Sequence, residues 1–125
     1  MDFACIRVDF IMIRRILVLI CALAIWPLQG FCFWGSERAA WKSFLNKDYN
    51  RSQQLLKFLQ VDDPSGEKIN YNLGSVNYKL GLTEDAKNEF ARAVEAGYGK
   101  NSSLVGMSYF NWGNCFIKEA SDLLG

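Results

Sequence analysis

Residue types able to do acid–base, nucleophilic or metal chemistry are few in this chain, and they stand apart. There is no histidine among its 125 residues, which removes the commonest general base and the commonest zinc ligand. The four cysteines, Cys5, Cys21, Cys32 and Cys115, include no C-x-x-C pair, so neither a zinc site nor a thioredoxin-like redox pair is encoded. Cys32 and Cys115 could pair in principle, although a disulfide framework normally shows several closely spaced cysteines. Asp62-Asp63 is a tight acidic pair, but it stands in a stretch that reads as a turn, where such residues are common. Catalysis would have to rest on carboxylates, tyrosine or Cys115, and the expectation is a protein that is not an enzyme and needs no cofactor and no metal. The chemistry left is recognition: aromatic residues such as Trp41 and Tyr71 are of the types that anchor contacts between proteins.

Net charge is +1. Beyond Gly30 there are eleven Lys/Arg and eleven Asp/Glu, so the body of the chain is neutral. Nucleic acid needs cations clustered along a phosphate track, and the scattered charges here read as solvated helix faces. No nucleic-acid partner is expected.

The elements that must present these residues are helices. Ala39, Ala40, Phe44 and Leu45 recur at helical spacing and predict a helix over Ser36–Asn46, with Lys47-Asp48-Tyr49 as the turn. Asn50–Val61 places Leu55, Leu56 and Leu59 on one side, and Asp62-Asp63-Pro64-Ser65-Gly66 stops it. Ile69, Leu73, Val76 and Leu80 mark one buried stripe of a third helix over Glu67–Leu80. Gly81 is placed for a left-handed cap and Thr83 for the N-cap of a fourth helix. In that helix Glu84 and Asp85 meet the dipole and Phe90, Ala93 and Val94 form the apolar face; Gly97 and Gly99 end it. Gly74 costs about 1 kcal/mol inside a helix relative to alanine, and close approach of a neighbouring helix is the expected gain. The recurrence of a small residue at Ala40 and Gly113 favours that reading.

Sliding Phe33–Gly66 onto Glu67–Lys100 superimposes like on like: Ala40 on Gly74, Phe44 on Tyr78, Ser52 on Ala86, Leu56 on Phe90 and Leu59 on Ala93. A period of this length is a repeat signal, and such repeats stack into solenoids. Asn72-Leu73-Gly74, Tyr78, Ala86, Phe90 and Ala93 resemble the tetratricopeptide repeat at its usual offsets. Ala40, Phe44, Asp48-Tyr49, Ser52, Leu56, Leu59 and Asp63-Pro64 match it more loosely. A third copy begins at Tyr109-Phe110-Asn111-Trp112-Gly113-Asn114 after a longer connection through Gly99–Gly106, and it stops after one helix. Asn70 and Tyr98 depart from the family, which often has tryptophan and proline there. The resemblance implies an all-α fold: tetratricopeptide-like antiparallel helix–turn–helix repeats, two repeats and one further helix, over residues 33–125.

It also implies a concave groove lined by the first helix of each repeat. By position that groove would show Trp34, Glu37, Trp41, Phe44 and Leu45, then Lys68, Tyr71, Ser75, Tyr78 and Lys79, then Phe110, Asn114, Ile117 and Lys118. Glu37, Trp41, Lys68, Tyr71, Ser75, Lys79, Phe110 and Asn114 are the candidate contact residues, whereas Phe44, Tyr78 and Ile117 are expected to fill the core. Glu37 and Trp41 replace the lysine and asparagine with which one groove type of the family grips a terminal carboxylate, so a carboxylate clamp is not expected.

In front of this body, Arg14-Arg15 precede eleven uncharged apolar residues, Ile16–Trp26, and Pro27 and Gly30 follow. This is the pattern of a secretory signal peptide, cleaved after Gly30. Read on to Trp34, the same stretch is just long enough for an uncleaved membrane anchor; a lipid-modified Cys32 and a buried helix are the further alternatives. Residues 1–32 are thus read as signal peptide or anchor, with the body exported to the cell envelope, periplasmic or held at the inner membrane. The layout is similar to that of the repeat proteins of bacterial Bat aerotolerance operons, which implies a scaffold among envelope proteins with von Willebrand-type domains. The expected function is a non-enzymatic protein–protein interaction module; the alternative is a membrane-tethered structural protein, a homo-oligomer that self-associates through its incomplete third repeat.

Met12-Ile13-Arg14-Arg15 makes a compact n-region, and the eleven residues before it carry two aspartates that add nothing to the signal. Translation is predicted to begin at Met12. Peptide mapping of the cytoplasmic precursor should return no peptide spanning Asp2–Phe10, and recovery of such a peptide would refute the internal start.

Overall fold

The computed structural model describes Arg14, Arg15 and residues 35–125. The chain divides into two units, Met1–Gly35 and Ser36–Gly125. In the first, Arg14 and Arg15 are helical and exposed; Met12, the apolar stretch, the expected cleavage point, Cys5, Cys21, Cys32 and Trp34 lie outside the described residues. The second unit is all-helical, and no strand occurs among the described residues. Residues 35–45 form α1, followed by α2 (Tyr49–Asp62), α3 (Glu67–Lys79), α4 (Thr83–Gly97) and α5 (Ser102–Leu124). Three or four residues connect each helix to the next, and links this short make neighbours antiparallel. α3 packs on α2 and α4, α4 packs on α5, and α3 also reaches α5. No described helix is long and apolar enough to cross a membrane.

Positions 34 apart do the same work at the helix ends. Gly81 has φ 78° and Lys47 φ 62°. The Leu82 N–H donates to the Asn77 carbonyl at 2.9 Å and the Gly81 N–H to Tyr78 at 3.1 Å; the Asp48 N–H donates to Ser43 at 2.9 Å and the Lys47 N–H to Phe44 at 3.0 Å. Both helices therefore close with a Schellman motif. Glycine adopts the left-handed conformation freely, whereas Lys47 does so against its Cβ.

The second Schellman motif corrects the expected cap of α4. Leu82, not Thr83, is the N-cap residue, and it makes no side-chain cap bond. The link is so short that Leu82 serves both helices: its N–H closes α3, and its carbonyl accepts the Ala86 N–H at 2.9 Å. Thr83 becomes the first helical residue. α2 also starts one residue early, at Tyr49, because Asp48 caps it by accepting the Arg51 N–H at 3.2 Å. α5 departs most. It starts at Ser102, where the Asn101 side chain accepts the Leu104 N–H at 3.2 Å, so Gly106 lies inside a helix and not in the connection.

Buried positions recur at the 34-residue spacing. Ala40, Ser52, Leu56 and Leu59 are buried, and so are their counterparts Gly74, Ala86, Phe90 and Ala93. Gly74 lets α4 approach: a Cβ there would stand 2.8 Å from both Cδ1 and Cε1 of Phe90, closer than carbon atoms pack. Gly113 does not share this role. It is exposed, and a Cβ on it would meet nothing within 4 Å, because among the described residues no helix lies over that face of α5. Ile117, expected in the core, is 69% exposed for the same reason. Phe44 and Tyr78 are half-buried, and Leu45, expected to be apolar-facing, is exposed.

Polar side chains tie the helices where apolar ones do not. Asn70 is buried; its Oδ1 accepts from Gln60 Nε2 at 2.9 Å and its Nδ2 donates to the Pro64 carbonyl at 3.3 Å. Gln60 also donates to Glu89 at 2.8 Å, joining α2 to α4. Gln53 donates to Asn77 at 2.7 Å, and the Ser52 hydroxyl to the Ala40 carbonyl at 2.9 Å. No buried side-chain nitrogen or oxygen among the described residues lacks a partner, so burying these groups leaves no desolvated orphan.

A Gly74→Ala substitution should lower stability. Overpacking costs about 1–3 kcal/mol, and the helix-propensity gain of about 1 kcal/mol offsets only part of it. In a Phe90→Val background, where the ring is gone, the same change should stabilise. Urea unfolding followed by circular dichroism checks both signs; a Gly74→Ala chain as stable as its parent would contradict the close approach.

Candidate functional site

All five helices contribute side chains to two neighbouring hollows. The first, of about 340 Å³, is bounded by Glu37, Ala40, Trp41 and Phe44 of α1, Ser52 and Leu56 of α2, and Tyr71, Asn72, Ser75 and Val76 of α3. The second, of about 330 Å³, is bounded by Phe44, by Ser75, Tyr78 and Lys79 of α3, by Phe90 of α4, and by Asn111 and Asn114 of α5. Phe44 and Ser75 line both, so the two adjoin. Each falls within the ~300–1,000 Å³ of ordinary ligand pockets.

Aromatic contacts fix their walls. Trp41 stacks on Phe44 with ring centroids 5.8 Å apart, and Phe44 meets Tyr49 edge-on at 5.6 Å. Tyr71 lies 5.9 Å from the Phe90 ring, and its hydroxyl accepts from Asn111 Nδ2 at 3.1 Å. That bond couples the wall of the first hollow to α5. The Ser75 hydroxyl turns inward to the Tyr71 carbonyl at 2.9 Å. Trp41 stays 57% exposed despite its stacking, so a large apolar face stands open at the rim beside the exposed Glu37.

Of the residues expected to make contacts, Glu37, Trp41, Tyr71 and Ser75 line the first hollow, and Ser75, Lys79 and Asn114 the second. Lys68 and Phe110 are exposed and line neither. Leu56, Asn72 and Asn111 join the lining without having been expected. For Asn111 a signal existed: it stands thirty-nine residues after Asn72, the offset between the Asn72-Leu73-Gly74 and Asn111-Trp112-Gly113 segments. Leu56 enters because α2 supplies the floor of the hollow.

A third hollow, of about 620 Å³, opens between the start of α4 and the end of α5, beside Glu84, Asp85, Glu119 and Asp122. Two of these carboxylates are already engaged. Lys87 Nζ lies 2.7 Å from Glu84 and 2.8 Å from Glu119, and 4.9 Å over the Phe116 ring. The Glu119 hydrogen bond, and then that of Glu84, raise the Lys87 pKa above its ordinary value. Among the described residues no group of three or more metal-ligating side chains comes together.

The one described cysteine is ill-suited to be a nucleophile. Cys115 is a free thiol, fully buried against Ala86 and Phe90 with Trp112 beside them. Burial pushes its pKa up, the Glu119 carboxylate acts in the same sense, and Lys87 opposes them; the reactive form is the thiolate. Comparison with protein-family models, with curated proteins and with solved structures finds no match to this chain.

Cys115 should therefore resist iodoacetamide in the native chain at neutral pH and react fully once the chain is unfolded in urea, as mass spectrometry of its peptide would show. Rapid native labelling would place the thiol outside the core.

Proposed function

We propose that this chain is a tetratricopeptide-type interaction module, with no catalytic activity, that binds an extended segment of another protein along the adjoining hollows of α1, α3 and α5. The observation that supports this most is the sharing of Phe44 and Ser75 between two hollows whose linings change character. The first is walled by Trp41, Phe44, Leu56 and Tyr71, which suits an apolar side chain. The second offers Lys79, Asn111 and Asn114, which suit backbone carbonyls or an acidic group a few residues along. Trp and Tyr side chains that a partner buries supply much of the affinity in protein contacts. The 34-residue echo in sequence, with matching caps and matching buried positions, supports assignment to the repeat family. The apolar front segment supports export to the cell envelope, and partners there with von Willebrand-type domains are the candidates that the layout favours.

Affinity capture with the full chain should retain a discrete envelope protein, and peptides tiled across that protein should locate an apolar anchor residue. Trp41→Ala and Tyr71→Ala should each weaken binding at least ~10-fold, which corresponds to about 1.4 kcal/mol, while Lys68→Ala leaves it unchanged. Binding indifferent to both aromatic changes would remove the groove as the contact surface.

A further inference from the structure

We propose that two copies of this chain associate through the outer face of α5, with the two helices antiparallel and crossing at Gly113. This inference is independent of the groove, which lies on other surfaces. Leu104, Ser108 and Cys115 are the buried residues of α5. At helical spacing the opposite side is a stripe of Tyr109, Phe110, Phe116 and Ile117, which are 52%, 70%, 52% and 69% exposed. Down its centre run Gly106, Gly113 and Ala120, seven residues apart and all exposed. A Cβ on Gly106 or Gly113 would meet nothing within 4 Å.

The stripe reads alike in both directions from Gly113. Small residues stand seven positions to either side, and a pair of large apolar residues stands three and four positions to either side. A twofold interface requires a self-complementary patch, and this palindrome provides one. In an antiparallel crossing at Gly113, Tyr109 falls beside Phe116 of the second copy and Phe110 beside its Ile117, while Gly106 meets Ala120. A foreign helix would gain nothing from that symmetry.

Three further features suit the second copy. No charged residue occurs from Ser102 to Ile117, so identical faces meet without repulsion. Each aromatic residue carries ~150–250 Å², so covering this stripe in both copies removes on the order of 1,000 Å², the size at which specific interfaces begin. The rings are also held before contact: Trp112 stacks on Tyr109 at 6.1 Å and lies 6.3 Å from Phe116, and Lys87 Nζ stands 4.9 Å over the Phe116 ring. Groups ordered in advance lose less entropy on association. Helix-interior glycines cost about 1 kcal/mol each. At Gly74 the return is the close approach of another helix, and a second α5 supplies the same return at Gly113.

The test replaces Phe116 with the photo-crosslinker p-benzoylphenylalanine in the full chain, purified in mild detergent and also illuminated in cells. The expected product has twice the mass of the uncrosslinked chain in the same sample, with the crosslink mapped to the peptide that holds Tyr109. Phe110→Glu, at an exposed position that folding does not need, should cut its yield at least ~10-fold with helicity unchanged, because a charge would be buried unpaired. A crosslink to another protein, a crosslink outside α5, or no dimeric product would overturn the proposal.

Discussion

Helix α4 can lie against α3 as it does because position 74 carries no side chain. The Phe90 ring occupies the place where a Cβ would stand, and other contacts of the unit depend on that approach. Tyr71 reaches the same ring from α3, and Ala86 and Cys115 close around it. α5 can then rest on α4, and the hydroxyl of Tyr71 can take a hydrogen bond from Asn111. Asn70, Gln60 and Glu89 add a satisfied polar tie between α2, α3 and α4, which contributes register more than net energy.

Much of this was legible in the chain itself. The steps from Ile69 to Leu73 and Val76 mark the buried side of α3; Gly81 marks its end; Gly74 inside that helix marks the close approach. These readings succeed because each depends on local geometry and one neighbour. The failures are of another kind. Thr83 has the chemistry of a cap, but the cap position is set by how few residues join α3 to α4. Gly106 looks like a linker residue, but Asn101 caps the helix earlier, and the burial of Leu104 holds that turn. Ile117 and Gly113 have the types and spacing of buried residues. Whether they are buried depends on a covering helix, which composition and periodicity do not report. Among the groove candidates, Trp41, Tyr71 and Lys79 converge where position implied; Lys68 and Phe110 do not, because they lie on the outward sides of their helices.

The unit thus presents two faces of different composition. Its adjoining hollows are lined by side chains of all five helices and keep an open aromatic edge beside amide and ammonium groups. The outer side of α5 is uniform, uncharged and symmetric along its length, which is the composition of a surface that meets itself. In stacked helical architectures each element buries its apolar side against the next, and the apolar side of α5 has no such cover among the described residues. In the proposed dimer the second copy supplies it.

The Gly74–Phe90 contact makes α3 and α4 one cooperative core to which the other helices are attached. Native-state amide hydrogen exchange of the full chain measures this directly. Amides of Leu73, Val76, Phe90 and Val94 should share the highest protection and lose it together as denaturant rises, with α1 and the end of α5 opening at lower free energy. Exchange in which α4 opens well before α3, as a separate unit, would contradict it.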